Sequence, residues 1–211
     1  MGQPKGTPVG QAAGGLSAGE EVLPPYVGIT LAEVSVVSSE EDLAAARHAL
    51  LAAHVLGFDT ESRPTFRKGE ESTGPHLIQL STDQRVFLFQ VGRGEAPGLL
   101  REVLESPNIL KVGFGLRDDL KRLQIKLGIR TAHVLDLAVA LRQERRLDIG
   151  AKSAVAQFFG QRLQKSKKTS TTNWSLPKLS DAKILYAAND AQVALRVYRK
   201  WLALRENALP A

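Results

Sequence analysis

His54-Val55-Leu56-Gly57-Phe58-Asp59-Thr60-Glu61 is an apolar run that turns acidic at its end. The apolar part, from His54 to Asp59, has the composition of a buried strand. Strand alternation then aims Asp59 and Glu61 to the same side. Two like charges so close disfavour ionising together, and a bound cation is one way to relieve the conflict. The same pair is also compatible with a harmless solvent-facing strand end, so its meaning depends on what the rest of the chain brings to it.

Working outward, two further strand-like runs follow, His76 to Ser81 and Arg85 to Val91. Thr82-Asp83-Gln84 between them is a polar turn suited to a hairpin, which implies antiparallel neighbours. Upstream, Ser38-Ser39-Glu40-Glu41 resembles a capping box that opens a helix through Leu43, Ala46, Leu50 and Leu51. Downstream, Gly98 to Glu105 reads as a helix, Ile109 to Phe114 as a buried strand, Asp118 to Leu127 as a helix and Ala132 to Leu135 as a short strand. Helical patterns then occupy Asp136 to Glu144, Gly150 to Phe159 and Ser180 to about Leu204. A hairpin followed by alternating strands and helices predicts an α/β fold, a mixed sheet with helices on both faces.

The 211 residues suit one domain, expected over 23–204, with a short C-terminal tail at 205–211. Residues 1–22 are rich in Gly, Ala, Pro and Ser and read as a disordered tail. Hydrophobic residues at 43% and charged residues at 24% argue against wholesale disorder. No apolar run is long enough to span a bilayer and no signal-peptide core opens the chain, so a soluble, intracellular (cytoplasmic) protein is expected. The chain has no cysteine, which removes disulfides, thiolate metal sites and cysteine nucleophiles. Its four histidines, His48, His54, His76 and His133, lack the paired spacing of a zinc site. Any metal must therefore sit on oxygen or histidine. A net charge of +6 suits a polyanionic partner.

Two more acidic positions stand out. Asp119 lies in Val112-Gly113-Phe114-Gly115-Leu116-Arg117-Asp118-Asp119-Leu120, where an apolar strand meets a polar helix start. An acid there can simply complement the helix dipole. The nearby Gly-x-Gly is not a dinucleotide fingerprint, because Asp118 replaces the third glycine. Tyr186-Ala187-Ala188-Asn189-Asp190 lies inside the long C-terminal helix, where Tyr186 and Asp190 are four residues apart and share a face. The intervening alanines permit close packing, and an acid on the inner side of that helix is costly unless paired or metal-bound.

Taken in order, Phe58-Asp59-Thr60-Glu61, Gly113 through Leu123 with Asp119, and Tyr186-x-x-x-Asp190 resemble the three motifs of the DEDD exonuclease superfamily in its tyrosine-bearing branch. That branch includes ribonuclease D and the exonuclease domain of the Werner syndrome protein. Further similarity lies in Leu77-Ile78-Gln79-Leu80, in Leu163 through Trp174-Ser175 and in Tyr198-Arg199, so the likeness covers roughly residues 27 to 202. Of the adjacent acids, Asp119 matches the family spacing to Gly113 and Leu123, with Asp118 as the alternative.

The resemblance implies a ribonuclease H-like mixed β-sheet flanked by α-helices and a 3′–5′ exonuclease that releases nucleoside 5′-monophosphates. It implies two divalent cations, Mg²⁺ or Mn²⁺, held by Asp59, Glu61, Asp119 and Asp190. Asp59 would bridge both ions, Glu61 and Asp190 would complete one, and Asp119 would hold the other, partly through water. Tyr186 would orient the attacking water. The implied partner is a nucleic acid with a free 3′ end, a single strand or a recessed or frayed duplex. Strand contact is expected from Lys165, Lys167, Lys168 and Lys178, which suit phosphates, and from Trp174, which can stack on a base; the alternatives are a solvated basic loop and a Trp174 that belongs to the core. The sequence stops soon after the third motif, where ribonuclease D continues into helical domains, so the Werner-like branch and DNA over RNA are expected. The alternatives are an RNA-trimming exoribonuclease, a noncatalytic nucleic-acid-binding module, and a phosphoesterase of small nucleotides.

Overall fold

The computed structural model describes residues 23–65, 69–70, 72–93, 96–142, 149–164 and 172–207. The tail expected over 1–22 and residues 208–211 lie outside the described residues. Six strands form one sheet: β1 (Val34–Val36), β2 (Val55–Glu61), β3 (Leu77–Ser81), β4 (Val86–Gln90), β5 (Leu110–Gly113) and β6 (Val134–Asp136). Their order is β1-β4-β3-β2-β5-β6. The hairpin expected from Thr82-Asp83-Gln84 is present, with β3 antiparallel to β4 and Thr82 N–H donating to the Arg85 carbonyl. β2 is antiparallel to β3 and parallel to β5, which makes it a central strand of a mixed sheet.

The described helices are α1 (Glu40–Leu51), α2 (Pro97–Leu104), α3 (Arg117–Leu127), α4 (Leu137–Ala140), α5 (Ala151–Phe159) and α6 (Asp181–Glu206). The capping box forms one residue further along than its acidic run suggests. Ser39 is the N-cap, and Asp42, at the third helical position, accepts back from the Ser39 N–H. The last helix extends through Glu206, beyond the domain end expected at residue 204.

Alternation along β2 sorts its side chains between two layers. Leu56 and Phe58 join the core cluster with Leu50 of α1, Leu100 and Val103 of α2 and Leu123 of α3. Val55 belongs to the opposite cluster, with Val155 of α5 and Val193 and Val197 of α6. Each fully buried side chain of this kind contributes roughly 1.5–3 kcal/mol. Gly57 faces α6 so closely that a Cβ there would lie 2.1 Å from the Ala191 carbonyl oxygen. Ala187, Ala188 and Ala191 are likewise fully buried. Small residues on both partners let α6 settle directly onto β2, and this contact places the site.

Candidate active site

Asp59 and Glu61 end β2 on its α6 face, as the alternation requires. Asp190 arrives from α6, 8% exposed, and the three residues bring carboxylate oxygens within 4.8 Å of one another. Asp59 Oδ1 accepts from the Thr60 N–H at 2.9 Å, which fixes the carboxylate against its own strand. Tyr186, half-buried, lies one helical turn before Asp190. Hard oxygen ligands converging from two elements suit a hard divalent cation.

Asp119 is placed differently. It is not one of the three clustered carboxylates; its Oδ1 accepts from the Thr60 hydroxyl at 2.5 Å, and Thr60 points to the sheet face opposite Asp59 and Glu61. Burial pushes the Asp119 carboxyl above its ordinary range, an effect partly offset by the Thr60 hydrogen bond and by Arg122, 3.7 Å away. Asp118 is exposed on the same turn. The start of α3 is held by Asp136, whose carboxylate accepts from the N–H groups of Gly115, Leu116 and Ala138, each at 2.9 Å. Asp136 lay unread in the sequence, although an acid at a strand-to-helix junction is an N-cap signal.

The expected strand contacts divide. Lys165, Lys167 and Lys168 lie outside the described residues, and Lys178 is exposed. Trp174 overturns its expectation: the ring is fully buried, packed with Leu77, Leu88, Ala187 and Ala188, its centroid 6.0 Å from that of Tyr186. With no surface exposed it has none to offer a base; its apolar area instead backs the tyrosine. The basic, loop-like surroundings concealed this, because an aromatic residue between lysines has the same sequence signature whether it stacks outward or inward.

A second unread feature is the segment Pro24–Ile29, which straps across α6. Tyr26 N–H donates to the Arg162 carbonyl at 3.0 Å, and Arg162 N–H to the Pro24 carbonyl at 2.7 Å. Ile29 N–H donates to Asn189 Oδ1 at 3.1 Å, and Arg196 donates to the Tyr26 hydroxyl and the Val27 carbonyl. The strap walls a cavity of about 220 Å³ that Tyr186, Asp190 and Leu163 also line. No helix among the described residues is long and apolar enough to cross a membrane.

A family model described as "3′-5′ exonuclease" matches residues 34–203, so the strap precedes the matched region. The human "Exonuclease mut-7 homolog" is 31% identical over 196 residues, covering 79% of this chain and 22% of that protein. The mouse "Bifunctional 3′-5′ exonuclease/ATP-dependent helicase WRN" is 26% identical over 149 residues, covering 69% of this chain and 11% of its own length. The chain thus spans about a fifth or less of these relatives. Among solved structures, Trypanosoma brucei RNase D in complex with RNA U12 superposes with a TM-score of 0.69 at 25% identity, covering 79% of this chain and 61% of the other. The fold is ribonuclease H-like, a mixed six-stranded sheet flanked by helices.

Proposed function

Because the chain belongs to the 3′–5′ exonuclease family, we propose that it hydrolyses phosphodiester bonds one nucleotide at a time from nucleic-acid 3′ ends by a two-metal-ion mechanism. The observation that carries this reading is the convergence of Asp59, Glu61 and Asp190 at one point, on a sheet face where their mutual repulsion has a use. Asp59, Glu61 and Asp190 would hold one divalent cation, and Asp119 together with Asp59 would hold the second. When bound, such ions lower the pKa of the attacking water and stabilise charge on the leaving 3′ oxygen.

The chain's own residues do the positioning. Tyr186, with Asp190 one turn further along α6, presents its phenol to the water and accepts or donates one hydrogen bond at Oη. A free phenol pKa of about 10 makes it an orienting group more than a base. Attack on phosphorus breaks the bond to the 3′ oxygen, which takes up a proton, leaving a nucleoside 5′-monophosphate and a new 3′-hydroxyl. Lys178, with Lys165, Lys167 and Lys168, would neutralise phosphates along the strand. DNA is the substrate proposed first, on the likeness to the Werner-type exonuclease, although the motifs themselves are shared with ribonuclease D. RNA is the second reading, supported by the likeness to an RNase D captured with RNA.

The test is digestion of a 5′-labelled strand and of a recessed-3′-end duplex, each as DNA and as RNA, with Mg²⁺, Mn²⁺ or chelator. The expected result is a descending ladder that needs metal. Asp59→Ala should lower kcat by about three orders of magnitude, the loss of roughly 4 kcal/mol of charge stabilisation. Substrates that bind but survive in every lane would replace the exonuclease with a binding module.

A further inference from the structure

Gln79 sits in the middle of β3, directly opposite Asp59 in the antiparallel register with β2. Directly paired residues project to the same face, with Cβ atoms roughly 4.5–5.5 Å apart. The Gln79 and Asp59 side chains therefore leave paired positions on the same, α6-covered face of the sheet. Gln79 is fully buried, and neither its Nε2 nor its Oε1 has a hydrogen-bond partner. Burying polar groups without partners is costly, which calls for an account of what they could bind.

The other buried polar side chains on the strands are satisfied. Thr60 donates to Asp119, Ser81 donates to the Thr82 carbonyl, and Lys111 donates to the Ser106 carbonyl. Gln79 differs from them in being the cross-strand partner of a residue of the carboxylate cluster. We infer that Gln79 is a positioning residue for Asp59: with a divalent cation bound, its Nε2, unpartnered here, would donate to the carboxylate and fix the orientation in which Asp59 holds the ion.

The chemistry favours an amide in this role. A carboxylate offers about four lone-pair sites, so a cation can share the group with more than one hydrogen-bond donor, the Thr60 N–H being one of them. A lysine or arginine would cancel the charge that attracts the cation, whereas a neutral N–H orients the carboxylate and leaves its charge intact. A methionine would fill the same space with no donor. Partners behind the ligands of this kind set metal affinity as well as rate.

This inference rests on the metal-dependent reading above, and its test separates the two. Mn²⁺ binding to substrate-free protein is measured by calorimetry for the wild type, Gln79→Met and Gln79→Asn, beside kcat, KM for a labelled strand and thermal midpoint. Gln79→Met is expected to weaken Mn²⁺ binding by about 10- to 100-fold. It should lower kcat in step and leave both strand KM and thermal midpoint near wild type. Gln79→Asn, which keeps the amide one methylene short, should fall between the two and carries the test if the methionine variant does not fold. Wild-type Mn²⁺ affinity in either folded variant overturns the role of Gln79 alone. Wild-type protein that binds no Mn²⁺ overturns the reading of the site, and the inference with it.

Discussion

The two faces of the sheet treat buried polar groups differently. On the face covered by α1, α2 and α3, Thr60 pairs with Asp119, and Lys111, with no exposed surface, donates to the Ser106 carbonyl at 2.8 Å and the Val103 carbonyl at 3.4 Å. These bonds tie α3 to β2 and the end of α2 to β5. On the face covered by α6, Gln79 and the indole N–H of Trp174 are buried without partners, close to the carboxylates and to Tyr186 respectively. The first face spends its polar groups on holding elements together. The second leaves some uncommitted, and that is the face where Asp59, Glu61 and Asp190 meet. The contrast holds for polar side chains on the strands and beside the carboxylates; away from them, the Thr131 hydroxyl near α3 and the Gln192 amide oxygen on α6 are also buried without a partner.

The largest blow to this division should come from Gly57→Ala. The added methyl meets the Ala191 backbone, which cannot turn aside, so α6 must lift from β2. A cost of about 3 kcal/mol is expected in chemical denaturation. A shift of even 1 Å at Asp190 should also lower kcat about 100-fold. Undiminished kcat in a folded variant would show that the α6 contact does not set the site.

Thr60→Val probes the other face. Losing the hydrogen bond to Asp119 should cost about 1–3 kcal/mol in urea denaturation, with Asp59 and Glu61 still in place on the opposite side. Comparison with Asp119→Asn sharpens the contrast. If Asp119 only braces α3, the two variants lose similar stability and keep activity. If it also serves the second cation, Asp119→Asn alone loses cleavage.

The smallest expected effect is a pH slope. Burial lowers the Lys111 ammonium from 10.5 to about 8. Between those values the unfolded chain binds a proton that the folded one does not, so stability rises with pH across that window and is lost again as pH falls through about 8. Urea midpoints of wild type and Lys111→Met at pH 7.5 and 9.5 check this on the order of magnitude set by linkage. The wild type should gain on the variant at the higher pH, and parallel behaviour would mean that Lys111 titrates as if exposed.

What was legible in the sequence was whatever depends on local periodicity. Alternation put Asp59 and Glu61 on one face, four-residue spacing put Tyr186 and Asp190 on one face, and the alanines between them announced the close approach of α6. What depends on contacts between distant elements was not. β1 is three residues long and exists because it pairs in parallel with β4, a partner about fifty positions away. Its Val-Ser-Val has too few residues to show a period. Asp119 is separated from the clustered carboxylates because it answers to Thr60, a residue whose side chain alternation sends the opposite way. Trp174 was misplaced because inward and outward aromatics look alike between polar neighbours.

The sheet's outermost strands, β1 and β6, have three residues each, while β2 at its interior has seven. Exposed strand edges are templates on which other chains can add, and brevity is one of the ways proteins blunt them. The long strand that carries the acidic pair is therefore shielded by neighbours on both sides. The two strands open to recruitment are too short to guide a stack, which leaves this sheet poorly suited to seeding aggregation.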